Sequence, residues 1–387
     1  MTIRKAVELT RVIKSIYDSP ETVPLHEPRF DGAETQYLLE CIDSTYVSSV
    51  GKFVSDFEQE LQVTTGAKFV IATVNGTAAL HVALLVAGVE AGGEVITQPF
   101  NFVASCNSIS YCGANPVFVD ICPDTLGMCP DSLRSWLSKN ATHKGGKTVN
   151  RGTGKHIAAI MPMHTFGHPA RMSEILEVAN SYGISVVEDA AEGMGSRKDS
   201  VHVGNDGLVS ATSFNGNKII TTGGGGAIIT NNETAASRAR HLTTTARVAN
   251  GYRFEHDEMG FNYRMPNLNA SLGLAQLGKL DLFVSAKRDL ARLYKEMLDD
   301  IGVQFSIESN GCESNYWLNS VIFDSTSERD EVLDHTNKAL IATRPPWTLM
   351  SSLPMFEKCQ KSPIPVSIDI QGRLLNIPSS VPLSGTS

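Results

Sequence analysis

The chain has no apolar run approaching the roughly 18 residues of a membrane-spanning helix. Its first residues, MTIRKAVELTRVIKSIY, lack the apolar core and small-residue cleavage site of a secretory signal. Basic residues are not in excess, because 33 Lys and Arg against 41 Asp and Glu give a net charge of −8. No bulk positive field is therefore available for nucleic acid or anionic membrane. We expect a cytoplasmic protein that binds neither.

The chain contains cysteine, but the spacing of its cysteines shows no pairing motif. The seven cysteines form an odd set without a CxxC motif, which argues against a disulfide framework and against a structural zinc site. We expect reduced cysteines and no metal. Cys106 and Cys112 are expected on one helix as small apolar residues.

The 387 residues predict about two domains, and the region from 65 to 245 alternates short apolar runs with helical patterns. The expected strands are Phe69–Val74, Glu94–Thr97, Pro116–Val119, Ile157–Met163, Ile184–Glu188, Val209–Phe214 and Ala227–Thr230. The expected helices are Thr77–Gly88, Phe102–Gly113, Pro130–Asn140 and a helix between Pro169 and Tyr182. Such alternation predicts an α/β fold with a mostly parallel sheet covered by helices on both faces. Ligands of these sheets lie beyond the carboxyl ends of the strands.

The remaining chain shows other patterns. Residues 141–155 are basic and glycine-rich without periodicity, which indicates an exposed loop, and their GTGK lacks the spacing of a phosphate loop. From about 267 the pattern predicts one long amphipathic helix. A smaller α+β unit is expected to follow, with strands near 317–323 and a helix near 328–340.

Three segments that follow predicted strands carry residues suited to chemistry. In the first, VNGTA, Gly76 allows a ligand close to the backbone, the N–H groups of the helix start favour an anion, and Thr77 adds a hydroxyl. The alternative is a plain strand-to-helix turn with Thr77 as its cap.

The second segment, ISVVEDAAE, ends an apolar strand with Glu188 and Asp189. Consecutive strand side chains point to opposite faces, so only one of the two carboxylates can enter a given pocket. An Asp there could cap a helix, bind a metal or keep a pyridinium nitrogen protonated.

The third segment, SFNGNK, places Lys218 in a polar loop after a buried strand, which suits Schiff-base chemistry. The glycines 223–226 lead into a strand rather than a helix, so they are not a dinucleotide fingerprint.

A phosphate site, a carboxylate and a lysine 29 residues after Asp189 meet the requirements of pyridoxal phosphate. With these three segments, the chain resembles the DegT/DnrJ/EryC1/StrS sugar-nucleotide aminotransferases. The resemblance extends from PLHEPRF to the end and includes the motifs NGTAALHVALLVAG, MPMHTFGHPARM, VVEDAAEGMGS, SFNGNKIITTGGGGAIIT and GFNYRMPNLNASLGLAQL.

The resemblance implies an aspartate-aminotransferase-type (fold type I) architecture, with a large domain and N-terminal arm over residues 1–265 and a small α+β domain over 266–387. It also implies a homodimer with shared active sites, pyridoxal 5′-phosphate as cofactor, and a nucleotide sugar and glutamate as substrates. Lys218 would hold the cofactor covalently and move the proton, and Asp189 would pair with the pyridine nitrogen. The remaining implied site residues are Gly76, Thr77 and Ser213 at the phosphate, Phe102 stacked on the ring, Glu192 near the phenolic oxygen, and Asn262 reaching the neighbouring subunit.

Two departures from the family pattern refine the expectation. Asn101 replaces the usual Thr before the stacking aromatic residue, and the usual Gly-Glu-Gly-Gly is here all glycine. The glycine run, with YVSSVGKFV, HLTTTA and RPPWTLMSSLPMF, resembles the branch that makes 4-amino sugars of nonulosonic-acid or bacillosamine type for bacterial surface glycans. The implied substrate is UDP-4-keto-6-deoxy-N-acetylhexosamine. The alternative is GDP-4-keto-6-deoxymannose.

Several residues, and the function itself, have more than one interpretation. His164 and His168 either touch substrate or are hydrogen-bonded loop residues, and His81 is expected in the core. Arg344 and Trp347 either border the nucleotide pocket or, in the case of Trp347, pack the small domain. The competing functions are a dehydratase of the same fold, against which Lys218 argues, and a cofactor-binding regulator, for which the chain offers no added DNA-binding module.

Overall fold

The structure, a computed structural model, describes residues 2–17, 22–30, 32–250 and 252–382. Its α-helices are α1 Thr2–Tyr17, α2 Ala33–Asp43, α3 Lys52–Thr65, α4 Gly76–Val86, α5 Val103–Tyr111, α6 Pro130–Asn140, α7 Met172–Ser181, α8 Glu233–Thr243, α9 Asn267–Leu277, α10 Leu280–Asp299, α11 Thr326–Lys338 and α12 Pro365–Arg373. Short 3-10 turns cover Thr165–Gly167 and Met350–Ser352.

The strands are β1 Phe69–Thr73, β2 Glu94–Thr97, β3 Asn115–Phe118, β4 Ala141–Lys144, β5 Lys147–Asn150, β6 Ile157–Met161, β7 Ser185–Asp189, β8 Arg197–Lys198, β9 Val201–His202, β10 Val209–Ser213, β11 Gly226–Thr230, β12 Arg247–Asn250, β13 Arg253–His256, β14 Gln304–Phe305, β15 Cys312–Glu313, β16 Asn319–Ile322 and β17 Leu374–Ile377. The central sheet has seven strands in the order β1-β11-β10-β7-β6-β2-β3. The run from β10 to β3 is parallel, and β11 pairs antiparallel with both β1 and β10. The predicted α/β class and all seven predicted strands are confirmed, each strand within two residues of its expected ends.

Alternating side chains bury both faces of this sheet. Within β1, Ile71 joins a core with α4 and α8, while Val70 and Ala72 join a core with α3 and α9 on the other face. In the same way Val187 and Val186 of β7 belong to two different cores. Strands buried on both faces read as continuous apolar runs, which explains why the sequence pattern located them.

Three strands of the sheet end on the same side, at their carboxyl ends. β1 ends at Thr73, β7 at Asp189 and β10 at Ser213. Gly226, which begins the antiparallel β11, pairs with both Thr73 and Ser213 and so lies at the same end of the sheet. The loops after these strands are therefore neighbours in space.

Two expectations for the rest of the chain are wrong. The long helix expected from 267 is two helices, because Lys279 leaves the helical region with φ −115° and ψ 2° between α9 and α10. The loop expected at 141–155 contains the hairpin β4–β5, which turns through Gly145 and Gly146, both at positive φ. Glycines adopt this left-handed backbone at little steric cost, which favours a tight turn.

The division into domains at residue 265 stays a prediction, and its terminal residues 1 and 383–387 lie outside the described part. Packing crosses that boundary in both directions. Buried residues of α1, including Leu9 and Ile13, pack with Tyr294 of α10 and with the small sheet β14-β16-β17. Helix α9 instead packs against α2 and α3.

None of the helices in the described ranges combines the length and apolar character needed to cross a bilayer.

Glu58 of α3 ties several elements to β1. Its Oε1 accepts from the Ala72 N–H at 2.7 Å and from Arg264 at 2.6 Å, and its Oε2 accepts from Arg240 at 3.1 Å. The carboxylate of Glu58 and the side chain of Arg264 are each only 10% exposed. Removing one member of such a pair leaves an uncompensated buried charge.

We predict that Glu58→Ala lowers the free energy of unfolding by about 3–5 kcal/mol, measured by denaturant titration. The control is Glu60→Ala at an exposed position of the same helix, which should change that free energy by no more than about 0.5 kcal/mol. Equal effects of the two substitutions would show that the Glu58 network does not hold α3 to the sheet.

Candidate active site

A cavity of about 490 Å³ opens where the loops after β1, β7 and β10 meet. This volume lies within the range of small-molecule sites. Seven of the eight residues predicted from the sequence line it: Gly76, Thr77, Phe102, Asp189, Glu192, Ser213 and Lys218. Its walls also include Asn75, Ser105, Met163, Trp317, Arg344 and Trp347.

The start of α4 forms one end of the cavity. Asn75 caps the helix, because its side chain accepts from the Ala78 N–H at 2.7 Å, so the alternative in which Thr77 is the cap is wrong. No described residue accepts a hydrogen bond from the N–H groups of Gly76 or Thr77. A Cβ on Gly76 would lie 2.8 Å from the Ser213 Cβ, so only glycine allows this close approach. Free N–H groups at a helix start, beside the Ser213 hydroxyl, favour an anion.

Asp189 is the carboxylate of β7 that enters the cavity. It is buried, its Oδ2 accepts from the Ser105 hydroxyl at 2.6 Å, and its Oδ1 accepts from the Ala191 N–H at 3.1 Å. Burial raises the pKa of the Asp189 carboxyl above its ordinary value, against the opposing effects of these hydrogen bonds and of the Lys218 charge. A buried carboxylate fixed in this way is suited to a cationic ligand group.

Glu188 points to the opposite face, as the strand geometry predicts. Its carboxylate lies 2.9 Å from His164 Nε2 and accepts from the N–H groups of Gly204, Asp206 and Gly207. The other ring nitrogen of His164 accepts from the Ala170 N–H. The side chains of His164 and Glu188 are both fully buried. His164 is therefore a hydrogen-bonded loop residue and not a residue that touches substrate.

Lys218 reaches the cavity from the loop after β10. Its Nζ lies 3.3 Å from Glu192 Oε1 and 3.8 Å from the centroid of the Trp317 ring. The Trp317 indole N–H donates to the Asn217 carbonyl at 2.6 Å, which fixes the loop that carries the lysine. The amine is thus held against an aromatic face and a carboxylate, with 13% of its side chain exposed.

Glu192 is buried between the lysine and the main chain. Its Oε2 accepts from the Phe166 N–H at 2.8 Å. Burial raises the pKa of Glu192 to about 7, while the Lys218 charge acts in the opposite direction. Near neutral pH this carboxyl can therefore hold or release a proton beside Lys218.

Aromatic residues form a further wall. Phe102, at the N-terminus of α5, is 50% exposed and lies 6.4 Å from Trp347 between ring centroids. Trp347 also packs against Phe100 and Phe166 at 6.0 and 5.0 Å. Trp347 therefore borders the cavity and packs against residues of the predicted large domain, and its contact with a nucleotide stays a prediction. Asn101 donates to the Gln98 carbonyl at 2.9 Å, a local bond made without the usual Thr.

Three other residues singled out in the sequence lie away from this cavity. Asn262 is exposed and its main chain bridges to Thr244, so it does not line the cavity of its own chain. His81 is buried among Tyr111, Phe261 and Tyr263, as expected of a core residue. His168 is buried against Tyr316.

Sequence reasoning missed Ser105 and Trp317. Ser105 lies 84 positions from the aspartate to which it donates, and Trp317 lies 100 positions from the carbonyl that accepts from its indole. No local motif marks either residue. The spacing of Ser105 from Phe102, within one helical turn of α5, is the nearest available signal.

The chain is similar to known proteins over nearly its whole length. The model of the DegT/DnrJ/EryC1/StrS aminotransferase family matches residues 28–387. GDP-perosamine synthase of Escherichia coli O157:H7 is 37% identical over 94% of this chain and 94% of its own length. GDP-perosamine synthase of Vibrio cholerae is 36% identical over 92% of this chain and 94% of its own length.

Solved structures match over nearly the whole chain as well. A DegT DnrJ EryC1 StrS aminotransferase from Brucella abortus has a TM-score of 0.82 at 26% identity and covers 90% of each chain. DesI, solved in the presence of its TDP-sugar product, has a TM-score of 0.82 at 25% identity over 93% of this chain and 88% of its own. The architecture, the cavity and the family match lead to one conclusion: the chain belongs to the DegT/DnrJ/EryC1/StrS aminotransferase family, and its enzyme class is that of the sugar aminotransferases.

Proposed function

We propose that this chain is a cytoplasmic, pyridoxal-phosphate-dependent aminotransferase that converts a nucleotide-linked 4-keto-6-deoxy sugar to its 4-amino sugar. One observation carries the proposal. The Lys218 amine, the buried Asp189 carboxylate and the free N–H groups at the start of α4 line one cavity. Each of these groups matches a different part of the cofactor.

The residues present fit pyridoxal phosphate. The N–H groups of Gly76 and Thr77 with the Ser213 hydroxyl would hold the phosphate, where an added Cβ on Gly76 would collide with Ser213. Asp189 would pair with the ring nitrogen, since a buried carboxylate with a raised pKa gains from a cationic partner. Phe102 offers an aromatic face to the ring, and Glu192 offers a carboxyl beside Lys218.

When bound, the cofactor supplies a carbonyl that takes up the donor's amino group and a ring that stabilises negative charge on the neighbouring carbon. Lys218 Nζ moves the proton to and from the reacting carbon, because it is the amine in the cavity. Ser105 and the Ala191 N–H keep the Asp189 carboxylate in one orientation, in which it would hold the ring nitrogen of the cofactor in its protonated form. Glu192 holds the Lys218 amine in place when the lysine is free.

The similar proteins favour a GDP-linked substrate. The relatives from E. coli and V. cholerae, and a third from Caulobacter vibrioides at 34% identity, are GDP-perosamine synthases. They support GDP-4-keto-6-deoxymannose, the alternative substrate, better than the UDP-linked sugar that the resemblance implies. The all-glycine run 223–226 keeps the UDP-linked N-acetylhexosamine as the second candidate.

The active form we propose is a homodimer with shared sites. The hairpin β12–β13 and the segment after it expose large apolar side chains, with Tyr252 fully exposed, Phe254 at 76% and Met259 at 82%. Asn262 follows this surface and is itself exposed. A second copy of the chain would cover these side chains and could receive Asn262 in its cavity.

Asp189→Asn is predicted to retain the cofactor but to slow turnover by roughly 100- to 1,000-fold, because an amide cannot hold the positive charge of the ring nitrogen. Steady-state kinetics with glutamate and keto sugar measure the loss. The control is Asp281→Asn at an exposed position of α10, which should leave turnover unchanged. A rate near that of the wild type in Asp189→Asn would assign the role to another group.

The shared site predicts complementation between two inactive variants. Lys218→Ala and Asn262→Ala should each be dimeric and inactive, whereas coexpression of both should restore turnover, because one site of the mixed dimer keeps both residues. Sedimentation at micromolar protein verifies the dimer. No recovery in a verified mixed dimer, or an active monomer, would remove Asn262 from the site.

The substrate proposal predicts the outcome of a direct competition. With glutamate present and both keto sugars supplied, the GDP-linked sugar should be consumed first, its product should carry the amine at C4, and glutamate should become 2-oxoglutarate. Mass spectrometry and NMR of the products identify sugar and position. Preference for the UDP-linked sugar, or an amine at C3, would contradict the substrate but not the reaction type.

A further inference from the structure

Trp317 makes two separate contacts with the segment that carries the cavity lysine. Its indole N–H donates to the Asn217 carbonyl at 2.6 Å, across 100 positions of the chain. Its ring centroid lies 3.8 Å from Lys218 Nζ. The first contact fixes the main chain next to the lysine, and the second fixes the amine at the far end of the side chain. One residue therefore restrains Lys218 at both ends.

The amine has little else to restrain it. In the described part of the chain, the hydrogen-bond acceptor that Lys218 Nζ meets is Glu192 Oε1 at 3.3 Å. A lysine carries its amine on a long flexible stem, so the amine moves among several positions unless its surroundings restrict it. An aromatic face restricts the amine by contact, and it also attracts the charged form of the amine. The ring of Trp317 thus supplies the contact that a single acceptor cannot.

Trp317 is itself held firmly by its main chain. Its N–H donates to Asn315 Oδ1 at 2.7 Å, and its carbonyl accepts from Lys287 Nζ at 3.2 Å. The side-chain amide of Asn315 donates in turn to the carbonyls of Glu192 and Met194, each at 2.8 Å. The ring is therefore fixed relative to the segment that carries Glu192, as well as to the loop that carries the lysine.

A fixed amine matters for the role proposed for Lys218. The amine moves a proton to and from a carbon atom, and the rate of such a step depends steeply on the positions of the two atoms. A misplacement of about 1 Å can cost roughly 100-fold in rate. A residue that restrains the amine can therefore control the rate without touching the proton itself.

We propose that Trp317 is the positioning residue of Lys218, with its indole N–H holding the loop and its ring face holding the amine for proton transfer. The assignment rests on the proposed aminotransferase function and adds to it a residue from a distant segment. Trp317 acts through Lys218 alone. Its loss should therefore slow the reaction when the lysine is present and have little effect when the lysine is absent.

The first test measures the loop without the cofactor. Trp317→Phe keeps an aromatic face and loses the N–H donor, whereas Trp317→Leu loses both; the control is Trp136→Phe, buried in α6 away from the cavity. Hydrogen–deuterium exchange of the peptide that contains residues 215–218 should be faster in both Trp317 variants, because the Asn217 carbonyl loses its partner. The control should leave this exchange unchanged. Denaturant titration verifies that every variant is folded.

The second test measures the reaction of the holoenzyme with glutamate in a single turnover. Trp317→Leu should lower the rate roughly 10-fold or more, and Trp317→Phe should lower it less, because it keeps the aromatic face. Deuterium on the α-carbon of glutamate should give a larger isotope effect in Trp317→Leu, since proton transfer becomes the slower step. In the Lys218→Ala background, with methylamine supplied as the base, adding Trp317→Leu should change the rate by less than about twofold.

The two backgrounds separate positioning from a general structural role. Equal losses from Trp317→Leu with and without Lys218 would overturn the proposal, because they would show that Trp317 supports the cavity as a whole. Unchanged exchange and unchanged rates in the Trp317 variants, or a smaller isotope effect in Trp317→Leu, would overturn it as well. A wild type that takes no amino group from glutamate would contradict the proposed function instead, while the exchange measurement still tests the hold of Trp317 on the loop.

Discussion

The geometry of the site depends on the end of β7, where two consecutive carboxylates must point to opposite faces of the sheet. Glu188 is the anchored one, since His164 and three backbone N–H groups surround it on the side away from the cavity. A fully buried carboxylate with these partners resists any shift of the strand by one residue, because the shift would leave it unpaired. Asp189 is therefore directed into the cavity, where Ser105 and Ala191 orient it. The buried contacts of Glu188 thus determine the direction of Asp189, the carboxylate proposed for the chemistry.

A second constraint brings the start of α4 to the same place. Gly76 lies so close to Ser213, and Gly226 so close to the main chain of Asn75, that a Cβ on either would collide. These contacts join the start of α4 to the end of β10 and the start of β11. The free N–H groups of α4, the serine hydroxyl and the loop that carries Lys218 therefore lie together.

The sequence reveals those parts of the structure whose signals are local. The strands of the central sheet are buried on both faces, so each is a continuous apolar run between turn residues. The break at Lys279 is hidden because the apolar periodicity continues on both sides of it, and β4–β5 is hidden because its strands are short and polar. Seven of the eight residues named from motifs reach one cavity, since each follows a predicted strand or begins a predicted helix. Ser105 and Trp317 come from distant segments, and only the folded chain shows that they border it. Asn262 is exposed, and its role in the site of a neighbouring subunit stays a prediction.

The central claim is that Lys218 is the residue that holds pyridoxal phosphate, and peptide mapping tests it most directly. The protein is incubated with the cofactor, reduced with borohydride to make the attachment permanent, digested and analysed by mass spectrometry. We predict the mass of the reduced cofactor on the peptide that contains Lys218, and no label on the fully buried Lys287 or on the Lys218→Ala variant. A label on a different lysine, or no label on the wild type, would contradict the account.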